Sequence, residues 1–446
     1  MNSYHVVIDD SMIRNMMQTD MQESLDLVTP KQVLYFVLLG LLPAFFVYRV
    51  PLVQKNFKEE IISRLKLIFV SLVLILAPIG LLSKHYTSFA REHKPLRFTV
   101  NPIYWIYSTG KYIGKTFNSG PIVVKPIGLD AKISKSDDNR SKLVIMVVGE
   151  ATRADHLSLN GYERETNPLL QKRDIINFSN MSSCGTSTAE SVPCMFSIFE
   201  RGDYSYKKGI TTENVLDVLK HTDKVAILWR DNNSDSKGVA LRVAYEGFHT
   251  PEKNSVCIEG ECRDLGMLEG LDSFIEKNKG KDILIVLHQM GNHGPAYYKR
   301  YPKAFEKFTP TCKTNQLEEC TQEEIINAYD NALLYSDYFL DHVITFLQKY
   351  EKKYDTALIY MADHGESLGE NGIFLHGLPY FMAPDAQTHI GAFMWFGEGM
   401  KKEVDSAALQ QRAAKEYSQD NLFHTLLGIF NVKTTVYEKD KDILKK

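Results

Sequence analysis

Two charge-free apolar runs near the N-terminus constrain the chain more than any other feature. They read VLYFVLLGLLPAFFVY (33–48) and LIFVSLVLILAPIGLL (67–82). Each is a little shorter than the ~20 residues of a membrane span, and flanking Tyr, Pro and Lys/Arg extend it to the interface. A buried helix pair is the competing reading. A cleavable signal is a poor one, because the first run begins too far in and acidic residues precede it. Two membrane helices are therefore expected. The stretch between them carries Arg49, Lys55, Lys58, Arg64 and Lys66. This basic excess puts it on the cytoplasmic side, with residues 1–31 and everything after 84 outside.

The cysteines point the same way. All six follow residue 84, in three close couples: Cys184 with Cys194, Cys257 with Cys262, and Cys312 with Cys320. Close couples in an even count imply three short-range disulfides in an oxidising compartment, with the connectivity left open. A cysteine zinc site would need tighter C-x-x-C spacing. The net charge of −3 offers no footprint for nucleic acid.

Four segments follow from these patterns. Residues 1–31 form an outer helical segment, and 32–84 hold the two spans. Residues 85–135 hold an interfacial helix (NPIYWIYSTGKYIGKTF) and a linker. Residues 136–446 form one large domain. Within that domain, short apolar runs alternate with helical stretches: KLVIMVV (142–148), KVAILW (224–229), DILIVLH (282–288), TALIYMA (356–362) and HIGAFMWF (389–396). The fold expected is α/β, a mostly parallel sheet with helices on both faces.

In such sheets ligands gather beyond the C-terminal strand ends. Four of the runs lead into polar residues: Glu150, Asp363-His364, the stretch before His293, and RDNNSDSKG. Two carboxylates and an imidazole, with a hydroxyl or water as fourth ligand, suit tetrahedral zinc. Such an ion would lower the pKa of a bound hydroxyl and neutralise phosphoryl charge. The hydroxyl-rich loop SSCGTSTAESVPCMFS (182–197) is the source of a nucleophile expected from this chemistry, although a Ser/Thr run alone reads as a turn or helix cap.

Several long stretches resemble one family. VVGEATRADHLSLNGYERETNPLL, SSCGTSTAESVPCMFS, WRDNNSDSKG, HQMGNHGPAYYKRYP and ADHGESLGENGIFLHG are similar to the lipid A phosphoethanolamine transferases, bacterial inner-membrane enzymes with a sulfatase/alkaline-phosphatase-like periplasmic domain. The colistin-resistance transferases are among them. The resemblance implies Thr188 as the residue that accepts phosphoethanolamine and touches Zn2+. It implies Glu150, Asp363 and His364 as the other zinc ligands. It assigns His293 and His376 to the substrate phosphate or a second zinc ion, and Ser234 and Lys237 to further substrate contacts. The cysteine couples match three family disulfides. Asn15, Thr19 and Glu23, spaced i, i+4 and i+8, would share one helix face that resembles the family's ethanolamine contacts.

The expected reaction is transfer of phosphoethanolamine from phosphatidylethanolamine to lipid A or lipopolysaccharide phosphate by a monomeric multi-pass membrane enzyme, giving resistance to cationic peptides such as polymyxin. The family carries five spans, so the resemblance implies that the first three are absent from this chain, through a start assigned too late, a truncated gene or a shortened form. Rival readings are a sulfatase or phosphodiesterase of the same fold, a glycerol-phosphate transferase, and a membrane remnant without turnover. The C/S-x-P-x-R stretch of such sulfatases does not occur around Thr188.

Overall fold

The computed structural model describes residues 6–19, 24, 28–51, 56–83, 89, 93–117, 122–134, 140–258 and 260–445. It divides into two compact units, residues 28–109 and residues 1–27 with 110–446.

The smaller unit carries two helices long and apolar enough to cross a membrane, α2 (Pro30–Arg49) and α3 (Phe57–Leu81). Thr29 and Gln32 form a capping box ahead of α2, and Pro30 occupies the first turn, where its missing N–H costs nothing. Their Leu, Phe, Val and Ile side chains are exposed throughout. Helices this apolar, with no residue of either span buried among the described residues, have the length and composition to cross a membrane.

The larger unit is built on a seven-stranded sheet: β1 (Ser141–Gly149), β2 (Ile175–Asn177), β3 (Val225–Asp231), β4 (Ala244–Gly247), β5 (Asp282–His288), β6 (Tyr354–Ala362) and β7 (Ala392–Phe396), in the order β2-β7-β6-β1-β5-β3-β4. Five neighbours, β6 to β4, run parallel, whereas β7 is antiparallel to β6 and to β2. The expected mostly parallel α/β sheet is the one observed. The run at 389–396 does not form one strand. It breaks at Gly391, so that His389–Ile390 joins a separate three-stranded sheet with Met181–Ser182 and Tyr417–Ser418.

Strand alternation creates two cores. Val144, Met146 and Val148 face α5 (Thr188–Met195), α6 (Val215–His221) and α9 (Leu422–Ile429). Leu143, Ile145 and Val147 face α7 (Leu271–Lys277) and α8 (Gln322–Gln348), meeting Ile275, Phe339, Val343 and Leu347. A Thr321–Glu324 capping box starts α8, and no Pro or Gly interrupts its 27 residues. Truncating a fully buried aliphatic such as Ile145 to Ala would cost about 2–5 kcal/mol.

Register sets the functional edge. Ala362 pairs with Gly149, His288 with Val148, and Asp231 with His288, so four parallel strands end on one rim. An N-terminal helix, α1 (Asp10–Gln18), belongs to this unit and packs on α5. Asp10 on α1 pairs with Lys111 at 2.7 Å and Lys115 at 2.5 Å, both on the helix Ile103–Phe117 (α4).

Candidate active site

Glu150 leaves β1 at the rim and Asp363-His364 leaves the adjacent β6; Asp363 N donates to Gly149 O at 2.8 Å. Both chain ends are crowded. A side chain at Gly149 would strike the Tyr360 ring, and at Gly291, with φ +47°, it would press on the Glu150 backbone. Glu150, Asp363 and His364 are wholly buried and Thr188 nearly so.

The backbone fixes each group. Asp363 Oδ1 accepts from Ala151 N at 3.1 Å and His364 N at 2.7 Å, while Oδ2 has no hydrogen-bond donor among the described residues. His364 Nδ1 lies 2.8 Å from Gly365 O and donates to it, which leaves Nε2 directed at the site as an acceptor. Burial holds the His364 imidazole below its ordinary pKa, in the neutral form a metal requires. Glu150 Oε2 accepts from Asn233 Nδ2 at 2.8 Å and from Thr188 Oγ1 at 3.2 Å.

These atoms fit a tetrahedral cation. Thr188 Oγ1 lies 3.3 Å from His364 Nε2, which lies 3.4 Å from Glu150 Oε1 and 3.4 Å from Asp363 Oδ2. Metal–ligand bonds of about 2.0–2.1 Å give tetrahedron edges of about 3.4 Å. The buried Asp363 Oδ2 also gains the partner it lacks.

Thr188 opens α5, where unpaired N–H groups and the helix dipole favour an anion. The hydroxyls around it are structural. Thr186 Oγ1 donates to Leu378 O at 2.6 Å, Ser183 Oγ to Gly185 O at 2.6 Å, and Ser191 Oγ lies 2.5 Å from Asp363 O. Cys184–Cys194, Cys257–Cys262 and Cys312–Cys320 are all bonded.

The other expected residues are brought to the same rim in part. His376 lies beside His364 with ring centroids 4.2 Å apart, and 6.2 Å from His293. Lys237 Nζ donates to Ser234 Oγ at 2.8 Å and to Gln18 O at 3.2 Å, which joins that loop to the end of α1. Asn15 lies on α1, but the helix ends at Gln18. Thr19 is the C-cap, with its Oγ1 turned back to Asn15 O at 2.8 Å. Glu23 lies outside the described residues.

Sequence reasoning did not single out Asn233, Glu366, Tyr297 or Gln419. Asn233 holds Glu150. Glu366 Oε2 holds His376 Nδ1 at 2.8 Å, while Oε1 accepts from Tyr297 at 2.6 Å. Burial pushes the Glu366 carboxyl up, but His376, His364 and Tyr297 more than offset it and keep it below the usual range. Asn233 and Glu366 lie inside the polar strand ends already noted, whereas nothing near Gln419 carries a signal.

Comparison with known proteins agrees with this geometry. Residues 142–432 match the sulfatase family, and residues 1–117 match the family described as phosphoethanolamine transferase EptA/EptB. The phosphatidylethanolamine transferase Mcr-1 of Escherichia coli is 47% identical over 97% of this chain and 80% of its own length. EptA of Salmonella typhimurium is 42% identical over 99% of this chain and 82% of its own. The solved structure of the integral membrane protein lipooligosaccharide phosphoethanolamine transferase A from Neisseria meningitidis superimposes with a TM-score of 0.93. It covers 100% of this chain and 83% of that one at 38% identity. Identity of this extent to transferases of one kind, over nearly the whole chain, shows that the chain belongs to the phosphoethanolamine transferases.

Proposed function

We propose that the protein transfers phosphoethanolamine from phosphatidylethanolamine to a lipid A phosphate at the periplasmic face of the bacterial inner membrane, with Zn2+ held by Glu150, Thr188, Asp363 and His364. The observation that carries this reading is the position of Thr188 Oγ1, 3.2 Å from Glu150 and 3.3 Å from His364, at the start of α5. Bound there, zinc would lower the hydroxyl pKa and offset charge on the phosphoryl oxygens.

The chain's own groups do the rest. Thr188 Oγ1 bonds to phosphorus as the phosphorus–glycerol oxygen bond breaks, and diacylglycerol leaves with a proton. The α5 N-terminus faces the phosphoryl charge. His376, braced by Glu366, and His293 bind the phosphate. Ser234, Lys237, Asn15 and Thr19 line the headgroup side. A lipid A phosphate oxygen then attacks the phosphothreonine and Thr188 recovers its proton. The transferred amine lowers the negative charge of the envelope, which weakens attraction for cationic peptides such as polymyxin.

The test is Thr188→Ala in purified protein, read by diacylglycerol release from phosphatidylethanolamine and by mass spectrometry of the residue 182–197 peptide. Release and the phosphoethanolamine adduct should both vanish with the fold retained. Continued release would overturn the reading, and preference for phosphatidylglycerol would redirect the donor.

A further inference from the structure

We infer that Gln419 is a positioning residue for the transfer reaction, the clamp that fixes the nucleophile loop against the metal-ligating end of β6; this rests on Thr188 being the nucleophile. Gln419 is wholly buried. Its Oε1 accepts from Cys184 N at 2.7 Å and meets Ser191 Oγ at 2.7 Å. Its Nε2 donates to Ala362 O at 2.7 Å and to Asp363 O at 2.8 Å. This is the one amide orientation that matches a donor to every acceptor. The four partners fall in two groups. Cys184 and Ser191 flank Thr188 in sequence, and Ala362 and Asp363 end β6. One planar amide therefore spans the gap between nucleophile and ligand strand.

The backbone around Gln419 is pinned independently. Tyr417–Ser418 pairs in parallel with Met181–Ser182, which itself pairs with His389–Ile390. Tyr417 N also donates to Asn180 O at 3.0 Å, and Ser418 caps the short helix Gln419–Asn421. Gly365 N donates to Gln387 O at 3.0 Å, tying the stretch after His364 to the same small sheet. Three distant segments thus meet there, and Gln419 carries their registration to the catalytic atoms. A four-bonded amide inside a buried core is a stiff link, because each lost bond leaves an unpaired polar group.

The amide touches no substrate, so its loss should change the chemical step and not donor binding. Gln419→Met keeps the length and removes all four bonds, and Gln419→Glu keeps Oε1 but turns a carboxylate towards two carbonyls. In full-length detergent-solubilised protein with Zn2+ and fluorescent phosphatidylethanolamine, the single-turnover rate of Thr188 modification should fall about 30–100-fold, since sub-ångström misplacement is costly. The donor KM should move less than about threefold, as expected when an interaction acts only on the transition state. Val343→Ala, on the opposite core, is the control for general destabilisation. Matched in melting temperature by choice of assay temperature, it should leave the rate per folded molecule unchanged. Equal rate losses in the control and the Gln419 variants would overturn the inference, as would an unchanged single-turnover rate in Gln419→Met. Should neither Gln419 variant fold, Gln419→Asn decides: it keeps the amide but shortens its reach by one methylene, and a rate within twofold of the parent protein overturns the inference. Turnover in Thr188→Ala would instead sink the parent reading of the nucleophile.

Discussion

The two ends of the central sheet both bury charge, and they treat it in opposite ways. At the N-terminal edge of β1 and β6, charges are matched. Lys142 Nζ meets Glu403 at 2.6 Å and Ile429 O at 2.8 Å, and Arg140 meets Asp355 at 3.0 Å. At the C-terminal rim, Glu150 and Asp363 converge on an amide, a hydroxyl and a neutral imidazole. Carboxylates this close repel and bury at a cost, which a divalent cation among them would offset. The matched end is closed by its own side chains, whereas the rim gathers a donor set that would fit a cation.

The sharpest way to break this comparison is at the rim. Thr188→Ala should lower turnover at least about 1,000-fold, read as diacylglycerol released per folded molecule. Next comes Asp363→Asn, which keeps the Oδ1 acceptor for Ala151 and His364 and removes one charge. Zinc affinity and turnover should fall about 100-fold, while the metal-free form melts no lower than the parent metal-free protein. Metal titration and calorimetry check this; a lower metal-free melting temperature would mean the rim charge is already balanced. At the matched end, Lys142→Met leaves Glu403 without its cation. Stability should drop by about 3 kcal/mol in denaturant unfolding, with turnover per folded molecule unchanged.

The smallest effect concerns Asp282, which accepts from Lys142 N at 2.8 Å. Burial pushes its carboxyl above the usual range, opposed by the Lys142 bond and charge. A raised folded pKa stabilises the protonated form, so this contribution is present below the unfolded carboxylate pKa. It is lost as pH rises through the folded value. Asp282→Asn should therefore remove this loss, so that stability rises more steeply from acid to neutral pH than in the parent protein, by under about 1 kcal/mol.

Much of this was legible from sequence because the physics was local. Buried parallel strands read as unbroken apolar runs, and the residue that follows each run lands on the rim whatever the strand order. Glu150, Asp363 and His364 could be placed on one rim by that rule, and the pairing of β1 with β6 brings them together. The nucleophile was different. Seven hydroxyls lie in residues 182–197, and periodicity does not rank them; the resemblance identified Thr188, and the structure shows several of the others occupied with backbone carbonyls. The end of α1 at Gln18 left no mark in the sequence, because its C-cap is Thr19 and no Gly announces it. Gln419 was invisible. Its four partners are 56 to 235 residues away, and a single amide between an apolar helix and a short strand leaves no pattern.

The small sheet of Met181–Ser182, His389–Ile390 and Tyr417–Ser418 has a consequence for timing. Its last strand emerges from synthesis long after Thr188 has been made. A chain made from its N-terminal end therefore holds the nucleophile loop long before the strand that registers it, and a chain ending ahead of Tyr417 would lack the pairing that Tyr417–Ser418 supplies to Met181–Ser182.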